Sequence, residues 1–323
     1  MLTAPIIPME PLSHSHIFES KDHFFQVKWD GVRIIAWVEG KEIWLQNRKG
    51  HDRTQHYPEL RSLPARLRGT EAVLDGEIVV LDSNGHPSFP RVLERDLVSR
   101  PHITTGVFPR WPITYIVFDI LSWKGKLLTP QPLESRQEIL QKALRVDKTS
   151  KWADKNETPD NIIIIENFAN GPSLFAAVRE HHLEGVVAKN KSSPYLPGKK
   201  TRHWLKIKNR RRQLCLVVGY LTRNQLLSSL VLAAYHGKQL LYLGRAGTGL
   251  TEKQRQELGQ LLPHLQTKTS PWTRPPRFPG LQAHWIDPPI VVLIEFLEWT
   301  SDLKLRSPVI IGFPNQDPGK CQV

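Results

Sequence analysis

Short apolar segments separated by two-residue turns recur along the first part of the chain. Two-residue loops that contain glycine join antiparallel strands, whereas parallel strands need a crossover of about a dozen residues or more. The pattern therefore predicts antiparallel hairpins and argues against a sheet of helix-linked parallel strands. The segments and their turns are 33–38 and 42–45 around Glu39-Gly40, 72–81 before Asn84-Gly85, and 115–121 before Lys124-Gly125.

Helical patterns are fewer than strand patterns in this chain. The predicted helices are 133–144, 174–181 after Gly171-Pro172, and 252–262 after Thr251. Threonine favours the N-terminus of a helix, because its hydroxyl accepts a hydrogen bond from a free backbone N–H group. The polar stretch 147–161 predicts a surface loop. Together these patterns predict an α+β fold.

A domain boundary is expected near residues 208–213, where a basic stretch ends and a new strand pattern over 214–220 begins. The strand patterns that follow are 230–235, 239–243 and 290–299. Short strands around one helix fit a small closed barrel of the oligonucleotide-binding (OB) type. We therefore predict two domains, residues 1–208 and residues 209–323.

The balance of charge is strongly basic, with 44 lysine and arginine residues against 31 aspartate and glutamate residues, a formal net charge of +13. A basic excess suits a polyanionic partner, although it also serves solubility alone. A solvated face usually mixes both signs, so an uninterrupted run of basic residues favours phosphate contact. Such a run, called the basic block below, comprises Lys189, Lys191, Lys199, Lys200, Arg202, Lys206, Lys208, Arg210, Arg211 and Arg212, with no acidic residue between them.

Cysteine usage and hydropathy exclude several classes of protein. Cys215 and Cys321 are the only cysteines, too few for a disulfide framework or a cysteine-rich zinc module. No apolar run approaches the ~18 residues of a membrane span. We therefore expect a cytosolic protein without membrane association.

The most informative segment is Gln26-Val27-Lys28-Trp29-Asp30-Gly31-Val32-Arg33. Lys28 follows an apolar strand pattern and precedes an Asp-Gly turn, where partial desolvation is expected. Desolvation lowers the pKa of an ammonium group and yields the free amine needed for nucleophilic attack. Gly31 permits the close turn, and the Arg33 guanidinium is placed to grip a phosphate. The alternative is a hairpin with a Lys–Asp pair on its surface.

This segment resembles motif I of the covalent nucleotidyltransferases, and more specifically of the ATP-dependent DNA ligases. Further segments resemble the companion motifs in the family's order. They are Asp75-Gly76-Glu77-Ile78-Val79 for motif III, Tyr115-Ile116-Val117-Phe118-Asp119-Ile120-Leu121 for motif IIIa, Leu183-Glu184-Gly185-Val186-Val187-Ala188-Lys189 for motif IV, and Trp204-Leu205-Lys206-Ile207-Lys208 for motif V. The resemblance runs from about Pro8 to Pro308 and is closest to the ligase domain of bacterial ligase D.

The resemblance implies an antiparallel-sheet nucleotidyltransferase (adenylation) domain over residues 1–208 and an OB-fold β-barrel that binds DNA over 209–323. It implies an ATP-dependent DNA ligase that seals nicks or breaks in duplex DNA through a lysyl-AMP intermediate, in repair by end joining. The implied cofactors are ATP and Mg²⁺ or Mn²⁺. The implied partners are nicked or broken duplex DNA, Ku and end-processing enzymes. A monomer in the bacterial cytosol or nucleoid is expected.

Residue roles follow from the resemblance, position by position. The expected catalytic residues are Lys28, Asp30, Lys206 and Lys208. The residues expected to bind the nucleotide are Gln26, Val27, Lys28, Arg33, Arg48, Glu77, Phe118, Lys189, Lys206 and Lys208. A divalent cation, which prefers carboxylate oxygen, is expected at Glu77 and Glu184. The residues expected to contact DNA are Arg33, Arg48, Lys199, Lys200, Arg202, Arg210, Arg211 and Arg212.

Several of these residues also have purely structural interpretations. Phe118, within an apolar strand pattern, is on its own more typical of a core residue, and Glu77 of an exposed strand residue. Asp30 alternatively stabilises the Asp-Gly turn. Lys189 is alternatively no more than the first charge of the basic block. The joint pattern of motifs favours the functional interpretation.

Two features depart from the family pattern. Gln26 stands where most ligases of this group have glutamate, although its carbonyl oxygen can still accept a hydrogen bond from the adenine amino group. The family's last motif, Arg-x-Asp-Lys, has no arginine counterpart after Gly312-Phe313, and Lys320 matches its lysine only with a register shift. Two rival hypotheses therefore stay open: an RNA ligase or capping-type guanylyltransferase, and a catalytically impaired relic that binds nucleic acid.

Overall fold

The computed structural model describes residues 5–82, 85–97, 111–146, 161–300 and 302–323. It divides into two compact units, Met1–Asn209 and Arg210–Val323. Both units are built mainly on antiparallel sheets with few helices, which confirms the predicted α+β class.

The first unit contains two sheets. Its strands are β1 (Glu10–Ser13), β2 (His23–Lys28), β3 (Val32–Glu39), β4 (Glu42–Asn47), β5 (Glu71–Val80), β6 (Ile113–Trp123), β7 (Lys126–Leu127), β8 (Ile162–Ile164), β9 (Gly185–Asn190) and β10 (Lys200–Lys208). One sheet has the order β4-β3-β5-β6-β7 with β8 beside β6, and the other has the order β1-β10-β9-β2. The predicted hairpin between β3 and β4 is confirmed, and Gly40 takes the positive φ of 60° that its turn requires.

Two of the strand pairings are parallel, which the hairpin pattern did not predict. β1 pairs with β10, and β8 pairs with β6. Both pairings join segments that lie far apart in sequence, so no turn between the partners signals them. The short strands β1 and β8 thereby extend the two sheets that carry the candidate motifs.

The helices of the first unit pack outside the sheets. They are α1 (Leu63–Arg66), α2 (Phe89–Asp96), α3 (Leu133–Ala143) and α4 (Gly171–Glu180). α4 begins three residues before its predicted start, where the Asn170 side chain caps it by accepting a hydrogen bond from Ser173 N. The predicted loop 147–161 lies outside the described residues except for Asn161.

A shared apolar core lies between the two sheets of the first unit. Ile35, Val79 and Ile116 contribute to it from the larger sheet, and Trp204 and Val187 contribute from the smaller one. The opposite faces of the sheets pack on the helices in separate clusters. Side chains from both sheets therefore meet in the space between them.

The second unit is a single sheet with one α-helix among its described residues. Its elements are β11 (Arg211–Arg223), β12 (Leu226–His236), β13 (Gln239–Ala246), α5 (Glu252–Leu261), β14 (Gln266–Thr267), β15 (Gln282–Phe296) and β16 (Val309–Gly312). The strand order is β13-β12-β11-β15-β14, with β16 beside β15. Thr251 caps α5 through a capping box with Gln254, as its residue type predicted.

The strand predicted over 290–299 is wrong in its limits, because β15 begins at Gln282 and ends at Phe296. The sequence around Pro288 and Pro289 argues against a strand, since proline cannot donate to a ladder. The register against β11 jumps from Ile290 to Trp285, so the two prolines lie in a bulge and the strand continues past them.

No helix within the described ranges is long and apolar enough to cross a membrane.

Candidate active site

A pocket of about 1050 Å³ opens in the first unit and is lined from both of its sheets. Of the residues predicted to bind a nucleotide, all but Lys208 line this pocket: Gln26, Val27, Lys28, Arg33, Arg48, Glu77, Phe118, Lys189 and Lys206. Strand alternation explains the convergence. Residues two apart on one strand, such as Gln26 and Lys28, face the same side of the sheet.

Lys28 is held by a carboxylate from the neighbouring strand end. Its Nζ lies 2.5 Å from Glu184 Oε2, and Lys208 Nζ lies 3.6 Å from the other oxygen of the same carboxylate. Lys28 and Lys208 both face Gly185 across the sheet, one from β2 and the other from β10. Gly185, which follows Glu184, therefore lies between Lys28 and Lys208 and sets the distance between their two strands.

Arg33 is engaged by the buried carboxylate of Asp75. Its Nε and Nη2 donate to the two Asp75 oxygens at 2.9 and 2.6 Å, and the Tyr195 hydroxyl donates to the same carboxylate at 2.7 Å. The Asp75 carboxylate raises the pKa of Arg33 against the opposing effect of burial. Arg33 is thus a fixed positive charge in the wall of the pocket.

Glu77 faces the same pocket two residues after Asp75 on β5. Burial raises the pKa of its carboxyl group to about 7, while the neighbouring Lys28 and Arg33 act to lower it. The carboxyl group of Glu77 therefore titrates near neutral pH. Close cations and a carboxylate of this kind are what a site for a charged ligand requires.

Lys189 is buried at the inner end of the pocket, with 3% of its surface exposed. Its Nζ lies 4.1 Å from the ring centroids of both Phe118 and Trp204 and forms no hydrogen bond with a described residue. Burial lowers the pKa of this amine to about 7. The interpretation of Lys189 as merely the first charge of a solvated block is therefore wrong, since the sheet turns its side chain inwards.

A chain of amide groups ends at Gln26. Gln137 Nε2 donates to the backbone oxygen of Phe118 at 2.9 Å, and Asn167 Nδ2 donates to Gln137 Oε1 at 3.0 Å. Gln26 Nε2 in turn donates to Asn167 Oδ1 at 2.7 Å. Gln26 itself is 1% exposed. Its side-chain orientation is consequently set by partners on α3 and in the segment before α4.

Cations also surround the outer part of the pocket. Arg48 pairs with Glu10 at 2.6 Å while its side chain stays 65% exposed. Burial lowers the pKa of Lys206, and the nearby Lys200, Lys208 and Lys28 lower it further. The pocket thus has a mainly apolar inner end and a basic opening, which suits a ligand with an apolar head and an anionic tail.

Other predicted residues lie away from the pocket lining. Asp30 follows β2, is half-buried, and is not among the lining residues. Lys199, Lys200 and Arg202 are exposed. Glu184 reaches the site through its pair with Lys28.

The basic block has no acidic residue in sequence, but its charge is partly compensated in the folded chain. Lys189 is buried, Lys208 pairs with Glu184, and both Arg210 and Arg212 approach Glu295 of β15, at 3.6 and 3.5 Å. Acidic residues distant in sequence therefore neutralise part of a run that contains none of its own.

Two carboxylates are available for the divalent cation expected at Glu77 and Glu184. Groups of three or more acidic, histidine or cysteine ligands do not occur among the described residues. Mg²⁺ characteristically takes one or two carboxylates and completes its shell with water and substrate phosphates. Glu184 lies close enough to Glu77 to contribute to the raised pKa of its carboxyl group, and two carboxylates are the donor set that such a site would use.

The sequence did not reveal four residues that shape the pocket. Asp75 and Tyr195 fix Arg33, and Asn167 and Gln137 fix Gln26. Alternation on β5 offered a signal for Asp75, which lies two residues before Glu77 and so shares its face. Asn167 and Gln137 belong to no recognised motif, and their spacing along the chain gives no indication of their contact.

Family models match both units of the chain. The ATP dependent DNA ligase domain matches residues 9–208, and the ATP dependent DNA ligase C terminal region matches residues 223–315. These matches confirm the nucleotidyltransferase domain and the OB-fold domain expected from the motifs.

Individual relatives and a solved structure agree with these matches. The multifunctional non-homologous end joining protein LigD of Mycobacterium bovis is 30% identical over 302 residues, 92% of this chain but 37% of that protein. The SPbeta prophage-derived DNA ligase-like protein LigB of Bacillus subtilis is 31% identical over 216 residues, 67% of this chain and 72% of that protein. A mycobacterial DNA ligase D complexed with ATP and MES has a TM-score of 0.55 at 27% identity, covering 98% of this chain and 97% of that one. The chain belongs to the ATP-dependent DNA ligase family.

Proposed function

We propose that this chain is an ATP-dependent DNA ligase that seals nicks or breaks in duplex DNA through an adenylylated Lys28. The observation that carries the proposal is the position of Lys28, which lines the pocket and contacts Glu184 at 2.5 Å with Lys208 beside it. An amine held by a carboxylate among several cations suits attack on a nucleotide phosphate. The chain spans 37% of the length of the mycobacterial relative. The activity, substrate and partners given below are therefore proposals for this chain and are not carried over from that whole protein.

In the first step Lys28 Nζ forms a bond to the α-phosphorus of ATP. The bond from that phosphorus to the bridging oxygen breaks, and pyrophosphate leaves with the electron pair. The Lys28 ammonium group first gives a proton to Glu184, the acceptor within hydrogen-bonding distance, and the neutral amine that attacks loses a second proton to solvent as the phosphoramidate forms. Lys206 and Arg33 stabilise the phosphates, with Lys208 close to the attacking amine.

A divalent cation, Mg²⁺ or Mn²⁺, would be held by Glu77 and Glu184 together with phosphate oxygens. When bound it would neutralise charge that develops on the phosphates. The residues of this chain have a separate task, which is to hold the nucleotide. Phe118 and Gln26 hold the base at the inner end, and Arg48 is placed at the opening.

The later steps transfer AMP to a DNA 5′-phosphate, from which a DNA 3′-hydroxyl then displaces it. Lys199, Lys200, Arg202, Arg210, Arg211 and Arg212 are the proposed phosphate contacts to duplex DNA. The mycobacterial relative is named for non-homologous end joining. We propose the same setting for this chain, as a monomer in the bacterial cytosol with Ku and end-processing enzymes as partners.

The C-terminal tail supports slow self-adenylation. Lys320, the nearest counterpart of the family's final lysine, donates to Gln316 at 2.9 Å, and no arginine precedes it in the tail. In the family pattern this motif orients the leaving pyrophosphate, which is the ground for expecting a slow first step. Steps two and three depend on the Lys28 pocket and are expected to proceed normally.

Incubation with α-labelled ATP and Mg²⁺ or Mn²⁺, followed by a nicked duplex, tests the function. Wild type is expected to acquire label and to pass it to sealed DNA. Lys28→Arg keeps a positive charge opposite Glu184 but offers no free amine at neutral pH, so no label is expected. Lys253→Ala, at an exposed position of α5, is the matched control and should be labelled like wild type.

A nicked duplex that already carries 5′-AMP separates the steps. Sealing of this substrate without labelling from ATP places the defect in step one alone. Sealing of nicked RNA in preference to nicked DNA would favour an RNA ligase. Failure in both the labelling and the sealing assays would refute ligase activity and leave a nucleic-acid-binding relic.

A further inference from the structure

The direction of the amide chain behind Gln26 is fixed by a backbone carbonyl group at its far end. It begins at the backbone oxygen of Phe118, which can only accept, so Gln137 must present its NH₂ group there. Gln137 then offers its oxygen to Asn167, which must present its own NH₂ group and offer its oxygen onwards. Gln26 therefore has to donate from Nε2.

This arrangement leaves Oε1 of Gln26 as its acceptor and the second N–H group of Nε2 as a further donor. Gln26 lines the pocket, and its Oε1 accepts no hydrogen bond from a described residue. Turning the amide over would place two oxygens together at Asn167, in a region where Gln26 is 1% exposed. A buried clash of acceptors is costly, so the pocket presents a fixed hydrogen-bond acceptor.

The inner end of the pocket is where a nucleobase fits. Phe118, Ile165 and Trp204 line it and are largely buried, whereas Lys28, Lys206 and Arg48 line the remainder. Gln26 lies two residues before Lys28 on the same face of β2, at a spacing of about 6.6 Å. A nucleotide with its α-phosphate at Lys28 thus has its base within reach of the Gln26 carbonyl.

We infer that Asn167 and Gln137 are positioning residues that select the nucleobase by fixing the orientation of the Gln26 amide. The inference rests on the proposed function. A fixed acceptor favours a purine with an amino donor at position 6, as in ATP, over one with a carbonyl there, as in inosine triphosphate. A glutamate at position 26 would present an acceptor oxygen in either orientation, whereas glutamine does so in one orientation only. Asn167 and Gln137 hold Gln26 in that orientation.

The test compares ATP with inosine triphosphate, both labelled at the α-phosphate, on protein first freed of bound AMP with pyrophosphate. The measured quantity is the ratio of the two second-order labelling rates. In Asn167→Leu the Gln26 amide can turn over, so the ratio should fall by about tenfold, the equivalent of one buried hydrogen bond. Gln137→Leu should lower the ratio too, because Asn167 then loses its own orientation.

Asn167→Asp is the conservative control. Aspartate still accepts from Gln26 Nε2, so the preference for ATP should stay close to that of wild type. A purely structural role of Asn167 would lower both labelling rates together in every variant and leave the ratio unchanged, which would overturn the inference.

Rescue at position 26 makes the test sharper. Gln26→Glu presents an acceptor whichever way it turns, and Asn167→Leu removes the oxygen that would repel this carboxylate, so the double variant should keep a ratio close to that of wild type. A ratio that still falls would show that Asn167 acts by another route. Binding of AMP and IMP at equilibrium provides the same ratio independently of step one. Absence of both labelling and AMP binding in wild type would instead contradict the proposed function.

Discussion

Lys189 combines two properties that rarely occur together in a lysine. Its amine lies against the rings of Phe118 and Trp204, which favours the charged form through cation–π attraction, yet it is buried without a hydrogen bond to a described residue. Burial lowers its pKa to about 7. Burial of this amine without a hydrogen-bond partner among the described residues therefore costs folding free energy at neutral pH.

Lys189→Met is expected to stabilise the protein at pH 7 and to lose that advantage as the pH rises. Between pH 7 and 9 the unfolded amine, with a pKa of 10.5, binds a proton that the folded amine has largely released. Stability of the wild type therefore rises with pH through this window, by up to about 2 kcal/mol relative to Lys189→Met. Chemical unfolding at both pH values measures the difference.

Lys253→Met provides the control for loss of one positive charge, since that side chain is 86% exposed. Equal slopes of the free energy of unfolding against pH in wild type and Lys189→Met would show that burial does not lower the pKa of Lys189.

Single residues could be predicted where their neighbours in sequence are also their neighbours in space. Lys28 and Arg33 were recognised because one turn contains the whole motif, and both line the pocket. The contact between Gln26 and Asn167 joins positions 141 apart, so no local pattern signals it. The inward orientation of Lys189 likewise depends on which face of β9 is covered, which its charged sequence context concealed.

At the scale of elements, β9 depends on Gly185 for its fit between β2 and β10. A Cβ atom at this position would lie 2.2 Å from the backbone oxygen of Ile207, on the strand that carries Lys206 and Lys208. Backbone at that distance cannot move aside without breaking the ladder. Because Glu184 is the preceding residue, the close approach of the strands also places its carboxylate between Lys28 and Lys208.

Gly185→Ala should therefore destabilise the first unit by roughly 3 kcal/mol and reduce labelling of Lys28 beyond the loss of folded protein. Thermal unfolding and labelling per folded molecule measure the two effects. The matched control is Gly259→Ala in α5, where an added Cβ meets nothing within 4 Å and a helix interior favours alanine by about 1 kcal/mol. Normal labelling of Gly185→Ala would show that the strand spacing is not required.

Elements whose signals are local were predicted well. The hairpin of β3 and β4 and the capped start of α5 follow from a few adjacent residues. The parallel pairing of β1 with β10 and the proline bulge in β15 depend on a partner strand elsewhere in the chain. Tertiary packing stabilises these two features, and local sequence propensity gives no information about it.

At the scale of the whole molecule, the effect of the net charge of +13 depends on which basic side chains are exposed and which are paired with carboxylates. Lys199, Lys200 and Arg202 are exposed and form no ion pair with a described carboxylate. Arg210 and Arg212 share Glu295. Two triplets that look equally basic in sequence therefore differ in how far a nearby carboxylate offsets their positive charge.

The salt dependence of DNA affinity distinguishes the two triplets. Each phosphate contact contributes about 0.9 to the slope of log affinity against log salt. Replacing Lys199, Lys200 and Arg202 by glutamine should lower the slope by about 2.7, since each can meet a phosphate. The same change at Arg210, Arg211 and Arg212 should lower it by about 0.9, because two of these arginines already face Glu295. Titration of a nicked duplex at several salt concentrations measures both slopes. Equal reductions would mean that DNA displaces Glu295 from its arginines, and an unchanged slope in the first triplet would place the phosphates elsewhere.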